Sequence, residues 1–227
     1  MIAWYDNIPL VSYVVLGGRC RHCRARISLR HPVVELATGL LFFYFVYTLG
    51  PGLAALKMCI FTAMLVALVF SDLEQRILPD EFTLGGLLVG LILAAFVPVP
   101  DDIAQAVLWL MGVTLKNRTL ASVIEGLFGA LLPAFFLWGG GWLYYKVRHR
   151  EGLGLGDVKL IAMVGAFLGL RGALVTLVLG SLAGSILGYW YIKATGKDAA
   201  TYELPFGTFL GVAALVAAFS TQRVLGM

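Results

Sequence analysis

GLGLGDVKLIAMVGAFLG, residues 152–169, places an acidic side chain directly before an apolar helical segment. Asp157 follows three glycines at alternate positions, and the apolar segment 158–170 begins immediately behind it. At about 1.5 Å per residue this segment reaches about 20 Å, less than the roughly 30 Å hydrocarbon core of a bilayer. An ionisable group at the mouth of a short membrane helix is costly, which predicts a functional role for Asp157. The alternative is a simple helix N-cap in headgroup water.

The composition is that of a membrane protein. Of the 227 residues, 60% are hydrophobic and 13% are charged, whereas soluble domains carry about 25% charged residues. Mean hydropathy is +0.89. The formal net charge of +4 does not indicate a nucleic-acid partner, because the basic residues sort by membrane side. We therefore predict an all-α, polytopic membrane helix bundle whose partner is the lipid bilayer.

About seven transmembrane helices are expected from the apolar stretches. They cover residues 32–50, 53–71, 82–97, 120–145, 158–170, 173–192 and 204–219. An amphipathic surface helix is expected within 101–114. Small residues at four-residue spacing predict close helix packing. These pairs are Gly86/Gly90, Gly165/Gly169, Gly180/Gly184 and Gly184/Gly188.

The polar block at the start predicts a small cytoplasmic segment, residues 1–31, ahead of a membrane-embedded bundle, residues 32–227. Its arginines put this block on the cytoplasmic side by the positive-inside rule. Cys20 and Cys23 lie among them at a spacing that provides half of a zinc site, since a closed structural site needs four ligands. Either these two thiols form a partial metal knuckle, or they are an inert thiol pair.

A second acidic stretch, SDLEQRILPDE (71–81), gives Asp157 a partner. Asp72 ends the second expected span and Asp157 begins the fifth, so both carboxylates face the cytoplasmic side. Two adjacent carboxylates can share a proton, because both cannot ionise comfortably at short distance. One can then act as a base on water and the other as an acid on a peptide carbonyl. The sequence shows no Ser-His-Asp set, HExxH motif or phosphate loop that would compete.

These motifs resemble those of the type IV prepilin peptidases, bacterial leader peptidases that are membrane aspartyl proteases with a Gly-x-Gly-Asp motif. The resemblance covers nearly the whole chain. The matching features are Gly154-Leu155-Gly156-Asp157 followed by Val158-Lys159, Asp72 seven residues before a Pro-Asp, Leu204-Pro205-Phe206-Gly207, and the block 7–35.

The resemblance implies an endopeptidase in the bacterial inner membrane, with a peptidase core at about residues 54–190. Such enzymes cleave a short basic leader from type IV prepilins and type II secretion pseudopilins at the cytoplasmic face. Asp72 and Asp157 would be the catalytic pair, Gly154 and Gly156 the motif backbone, and no cofactor would be required for proteolysis. Many members also methylate the new N-terminus, using S-adenosylmethionine and a domain in which two Cys-x-x-Cys pairs bind zinc.

The chain departs from this family pattern at its start. Family members usually begin with one more membrane span and an earlier Cys-x-x-Cys pair, and only Cys20 and Cys23 are found here. The four-thiol site cannot be completed from these residues. Zinc binding and methyl transfer are therefore not expected of this chain by itself.

Three other functions remain open from the sequence. They are a Gly-x-Gly-Asp protease that cuts within the bilayer, a proton-coupled transporter using Glu35 or Glu125, and a structural secretion-system subunit. Two local expectations can be checked against the structure. Gly154 and Gly156 should adopt positive φ or let a substrate strand pass close, which a Cβ would obstruct. Acidic residues should form a negative patch at the cytoplasmic rim: Asp72, Glu74, Asp80, Glu81, Glu151 and Asp157.

Overall fold

The computed structural model describes residues 4–99, 101–149, 152–196 and 204–225. Its regular elements in these ranges are a short 3-10 helix, Trp4–Asn7, and eight α-helices. The α-helices are α1 (Val11–Val15), α2 (Arg30–Leu49), α3 (Leu53–Gln75), α4 (Asp80–Ala94), α5 (Ile103–Leu110), α6 (Arg118–Arg148), α7 (Leu155–Thr195) and α8 (Phe206–Leu225).

Among the described residues, four helices are long and apolar enough to cross a membrane: α2, α3, α6 and α7. A shorter apolar helix lies in α8, at Phe206–Ser220. The protein is therefore an all-helical, polytopic membrane protein, as the composition predicts. The expected surface helix is also present, because α5 lies within residues 101–114.

The centre of the bundle is formed by α3 and α7. The rings of Phe61 and Phe167 stack between them with centroids 4.7 Å apart. Around these two helices, α7 also packs against α4, α6 and α8, and α3 packs against α2 and α8. This arrangement makes α7 the helix with the most buried residues, including Asp157 in its first turn. The position of the acidic residue is thus fixed by the most heavily packed element.

A break divides α7 at Gly169, where φ is 77° and ψ is −175°. The sequence predicts two separate spans, 158–170 and 173–192, and both lie on this one broken helix. Positive φ is accessible to glycine at little cost. The break frees the backbone N–H of Arg171, which donates to Asp101 Oδ2 at 2.8 Å. The buried Asp101 carboxylate therefore stabilises the break from the loop before α5.

The expected close approach of helix backbones is confirmed at Gly165 and Gly180. The closest contact involves a glycine that the spacing pattern did not include. A Cβ added at Gly165 would run into the backbone of Gly129 in α6. A Cβ added at Gly129 would lie 2.5 Å from the carbonyl carbon of Gly169. The backbones of α6 and α7 therefore touch directly, as small residues permit in membrane bundles.

We expect Gly165→Ala to destabilise the protein by about 1–3 kcal/mol, since one methyl group must displace the α6 backbone. Gly140→Ala is the matched control, because Gly140 is exposed on α6 and has nothing within 4 Å of an added Cβ. That variant should be neutral or slightly stabilised, because alanine is the better helix former. Thermal unfolding midpoints in detergent would compare them. Equal midpoints for the two variants would contradict the direct backbone contact.

Candidate active site

Asp72 lies in the last turn of α3, where the helix dipole disfavours a carboxylate. It is nevertheless only 5% exposed. Its Oδ2 accepts a hydrogen bond from the backbone N–H of Thr208 at 2.6 Å and another from the Thr208 hydroxyl at 2.8 Å. Thr208 is in the first turn of α8, whose N-terminus carries positive partial charge. The positive N-terminus of α8 therefore compensates for the unfavourable effect of the α3 C-terminus on the Asp72 carboxylate.

Asp157 lies in the first turn of α7 and is 8% exposed. The helix begins at Leu155 with Gly154 as its N-cap residue, and no side chain caps it. The alternative in which Asp157 serves as the N-cap is therefore wrong, because the helix starts two residues before it. Its carboxylate keeps the favourable position at the positive end of the α7 dipole.

Both aspartates line one cleft of about 690 Å³. The expectation that Asp72 and Asp157 share one end of the bundle agrees with this geometry, and their catalytic role stays a prediction. The other lining residues come from the α3–α4 connection and the first residue of α4, from the glycine loop and the start of α7, and from residues 204–207 at the start of α8. They are Arg76, Ile77, Leu78, Asp80, Gly152, Leu153, Gly154, Gly156, Lys159, Leu204, Phe206 and Gly207.

Leu78 joins the three segments that build the cleft. A Cβ added at Gly156 would lie 3.1 Å from the Leu78 side chain, and one added at Gly207 would lie 2.9 Å from it. Leu78 therefore packs onto two positions that have no side chain, one in the first turn of α7 and one in the first turn of α8. The sequence did not single out Leu78, since a leucine in a connecting loop carries no distinctive signal.

Gly156 serves close packing, and the expectation of positive φ at Gly154 and Gly156 is wrong. Gly154 has φ −72°, and neither Gly154 nor Gly156 is among the glycines with positive φ. An added Cβ at Gly154 would lie 3.4 Å from Asp157 Oδ2. The absence of a side chain at Gly156 therefore leaves room for Leu78, whereas a Cβ at Gly154 would be in ordinary van der Waals contact with the Asp157 carboxylate.

The negative patch expected at the rim is partly neutralised by ion pairs. Lys159 Nζ lies 2.7 Å from Asp80 Oδ1 and links α7 to α4, and Arg30 pairs with Glu74 and links α2 to α3. The side chain of Asp80 does not cap α4, which has Pro79 as its N-cap residue. Glu151 lies outside the described residues. This rim is therefore a mixture of charges instead of a continuous acidic surface.

The Cys-x-x-Cys segment forms a turn with two free thiols. The backbone N–H groups of Cys23 and His22 hydrogen-bond to the Cys20 thiol and lower its pKa below the usual value. Across the described ranges, no group of three or more His, Cys, Asp or Glu side chains could hold a metal ion. Cys20 and Cys23 by themselves provide two of the four ligands that a closed structural zinc site needs.

The fold and the cleft together define a class: a polytopic helical membrane protein with two buried aspartates at one end of the bundle. Residues 59–189 match the sequence profile of the type IV leader peptidase family, and residues 1–49 match the bacterial peptidase A24 N-terminal domain. The first match covers more than half of the chain. The chain belongs to the type IV leader peptidase family.

Curated relatives support this membership. The chain is 37% identical over 213 residues to the prepilin leader peptidase/N-methyltransferase of Pseudomonas aeruginosa, covering 94% of this chain and 66% of the relative. It is 37% identical over 216 residues to the protein of that name from Aeromonas salmonicida, covering 93% and 65%. The Xanthomonas campestris protein is 33% identical over 218 residues, covering 96% and 68%.

The chain thus spans about two thirds of the length of these relatives or slightly less. No solved structure matches it.

We expect Gly156→Val to destabilise the protein by about 1–3 kcal/mol, because the added methyl groups press on Leu78. Leu78→Ala should create the missing space. The double variant should therefore lose less unfolding free energy than the two single variants lose when their losses are added. A coupling energy of about 0.5 kcal/mol or more is expected for residues in contact. Thermal or denaturant unfolding of the four proteins would give this value, and strict additivity would show that the two residues do not press on each other.

Proposed function

We propose that the chain is a membrane aspartic endopeptidase that removes the basic leader peptide from type IV prepilins and type II secretion pseudopilins. The observation that supports this most strongly is the single cleft lined by two buried carboxylates, Asp72 and Asp157. The substrate class comes from the relatives, which carry the name prepilin leader peptidase/N-methyltransferase. Membership of the type IV leader peptidase family is consistent with both.

In the proposed reaction the two carboxylates share one proton. The ionised carboxylate takes a proton from a water molecule, whose oxygen attacks the carbonyl carbon of the scissile peptide. The protonated carboxyl donates its proton to the carbonyl oxygen, giving a tetrahedral intermediate. The carboxyl that took the water's proton then protonates the amide nitrogen, while the other carboxylate takes a proton from a hydroxyl of the intermediate. The carbon–nitrogen bond breaks, the new carboxyl and amino termini leave, and the two aspartates again share one proton. Burial of both aspartates strengthens each of these electrostatic interactions.

A proton-coupled transporter receives less support, because the buried charges away from the cleft are used structurally. Glu125 is fully buried, and its carboxylate accepts the backbone N–H groups of Ala104 at 3.0 Å and Gln105 at 2.8 Å. It therefore caps α5 from within α6. The buried Lys57 donates to the carbonyl oxygen of Val97 at 3.2 Å. Glu35 accepts the backbone N–H of Leu10.

We further propose seven membrane crossings, with the N-terminal segment 1–31 and the cleft on the cytoplasmic side of the bacterial inner membrane. The seven expected spans fall on α2, α3, α4, α6, the two parts of α7, and α8. The segment 32–227 would then be one membrane unit with its peptidase core at about 54–190. The excess of arginine in the N-terminal block supports this orientation. Cleavage at the cytoplasmic face would distinguish the chain from a protease that cuts within the bilayer.

Asp72→Asn should abolish prepilin cleavage, because an amide can neither take the water's proton nor share one. Asp157→Asn should do the same. The double variant should be hardly worse than either single variant, since groups that act as a unit are strongly non-additive. The assay is the mobility shift of a purified prepilin incubated with the detergent-purified protein.

Asp80→Asn is the matched control for this experiment. Asp80 lines the same cleft, but its carboxylate pairs with the partly exposed Lys159, and such pairs contribute only about 0–1 kcal/mol. This variant should keep measurable turnover. Near-normal cleavage by either Asn variant, or an Asp80→Asn variant as inactive as both, would refute the two-aspartate assignment. The amount of protein in membranes must be equal for all variants.

The second activity in the relatives' names, N-methylation, is not part of this proposal. We predict that the 227-residue chain alone cleaves without methylating, because Cys20 and Cys23 make up its only Cys-x-x-Cys. Incubation with labelled S-adenosylmethionine and processed pilin would measure methyl transfer. Label in the pilin N-terminus would overturn this prediction while leaving the peptidase proposal intact.

A further inference from the structure

Thr208 presents two hydrogen-bond donors to the same oxygen of Asp72. Its backbone N–H and its hydroxyl lie 2.6 Å and 2.8 Å from Oδ2. The hydroxyl is also 3.4 Å from the carbonyl oxygen of Val69. Since a hydroxyl has one proton, and the Asp72 acceptor is closer, the bond to the carboxylate is the better one. Thr208 is itself 8% exposed, so water does not readily replace it.

This geometry distinguishes the two oxygens of Asp72. A backbone N–H can only donate, so Oδ2 must act as an acceptor and cannot hold a proton directed at Thr208. None of the described residues donates to Oδ1 in the structure. A proton on Asp72, or a proton shared with Asp157, therefore belongs on Oδ1. Hydrogen bonds to charged groups are shorter and stronger than neutral ones, which makes this anchoring firm.

We propose that Thr208 is a positioning residue of the peptidase: it holds Asp72 by Oδ2 and leaves Oδ1 as the oxygen that exchanges protons with water and with Asp157. This inference rests on the proposed function. It assigns to the start of α8 a role in turnover, beyond the packing of α8 against α3. Thr208 acts through Asp72 and is not itself a group that reacts.

Thr208→Ser and Thr208→Ala test the proposal directly, because they differ by one oxygen atom. The alanine variant should lower kcat for prepilin cleavage at least about tenfold, which corresponds to one lost hydrogen bond to a charged group. The serine variant should stay within about twofold of the wild type, since it keeps both donors. KM should be unchanged in both, because the lost bond is to Asp72 and not to substrate. Thr208→Val, which keeps the shape of threonine, should behave like alanine.

Thr62→Val is the matched control. Thr62 is a buried threonine of α3 whose hydroxyl bonds to the carbonyl oxygens of Met58 and Cys59 in its own helix. Loss of that hydroxyl should leave kcat within about twofold of the wild type, because the bond is local and remote from the cleft. A purely structural effect of removing a buried hydroxyl would appear equally in both valine variants.

Two results would overturn the positioning role. One is equal kcat for the serine and alanine variants, or a loss confined to KM. The other is failure of Thr208→Ala and Thr208→Val to accumulate in membranes, which would assign the hydroxyl to folding. The proposed function fails separately: it fails if the wild type does not cleave prepilin, or if Asp72→Asn still does. Cleavage that depends on Asp72 but not on the Thr208 hydroxyl would keep the function and remove this inference.

Discussion

A buried carboxylate at the C-terminal end of a helix is electrostatically unfavourable, and the arrangement at Asp72 depends on compensating for it. The end of α3 offers carbonyl oxygens, while the start of α8 offers N–H groups. Thr208 brings these two helix ends together through one carboxylate oxygen. The packing of α8 against α3 is therefore an electrostatic requirement as well as an apolar contact.

The placement of the second aspartate depends on the close packing of α7. Asp157 lies at the start of the first part of α7. This part of the helix is held against α6 where Gly165 contacts the backbone of Gly129. Leu78 then fills the space left by Gly156 and Gly207, which draws the glycine loop and the start of α8 toward the end of α3. A close backbone contact between α6 and α7 and one leucine in the cleft thus hold the segments around the two aspartates together.

Much of the fold was predictable because it depends on local composition. Apolar length gave the helices, and the spacing of acidic residues relative to them gave Asp72 and Asp157 as a candidate pair. The unpredicted features all depend on contacts between distant segments: Thr208 on Asp72, Leu78 on two glycines, and Asp101 on the broken α7. The positive-φ expectation for Gly154 and Gly156 failed because glycine also serves where a neighbour needs the space, and sequence does not separate these two uses.

The bond between Thr208 and Asp72 joins residues 136 positions apart. A polytopic chain is made from its N-terminus onward, so α3 enters the bilayer long before α8 exists. Until α8 is in place, Asp72 lacks both donors, and a partly made chain holds both aspartates without the anchored oxygen. Completion of the last helix therefore also completes the hydrogen-bonding environment of Asp72, and before that point the cleft lacks the two donors that hold this carboxylate.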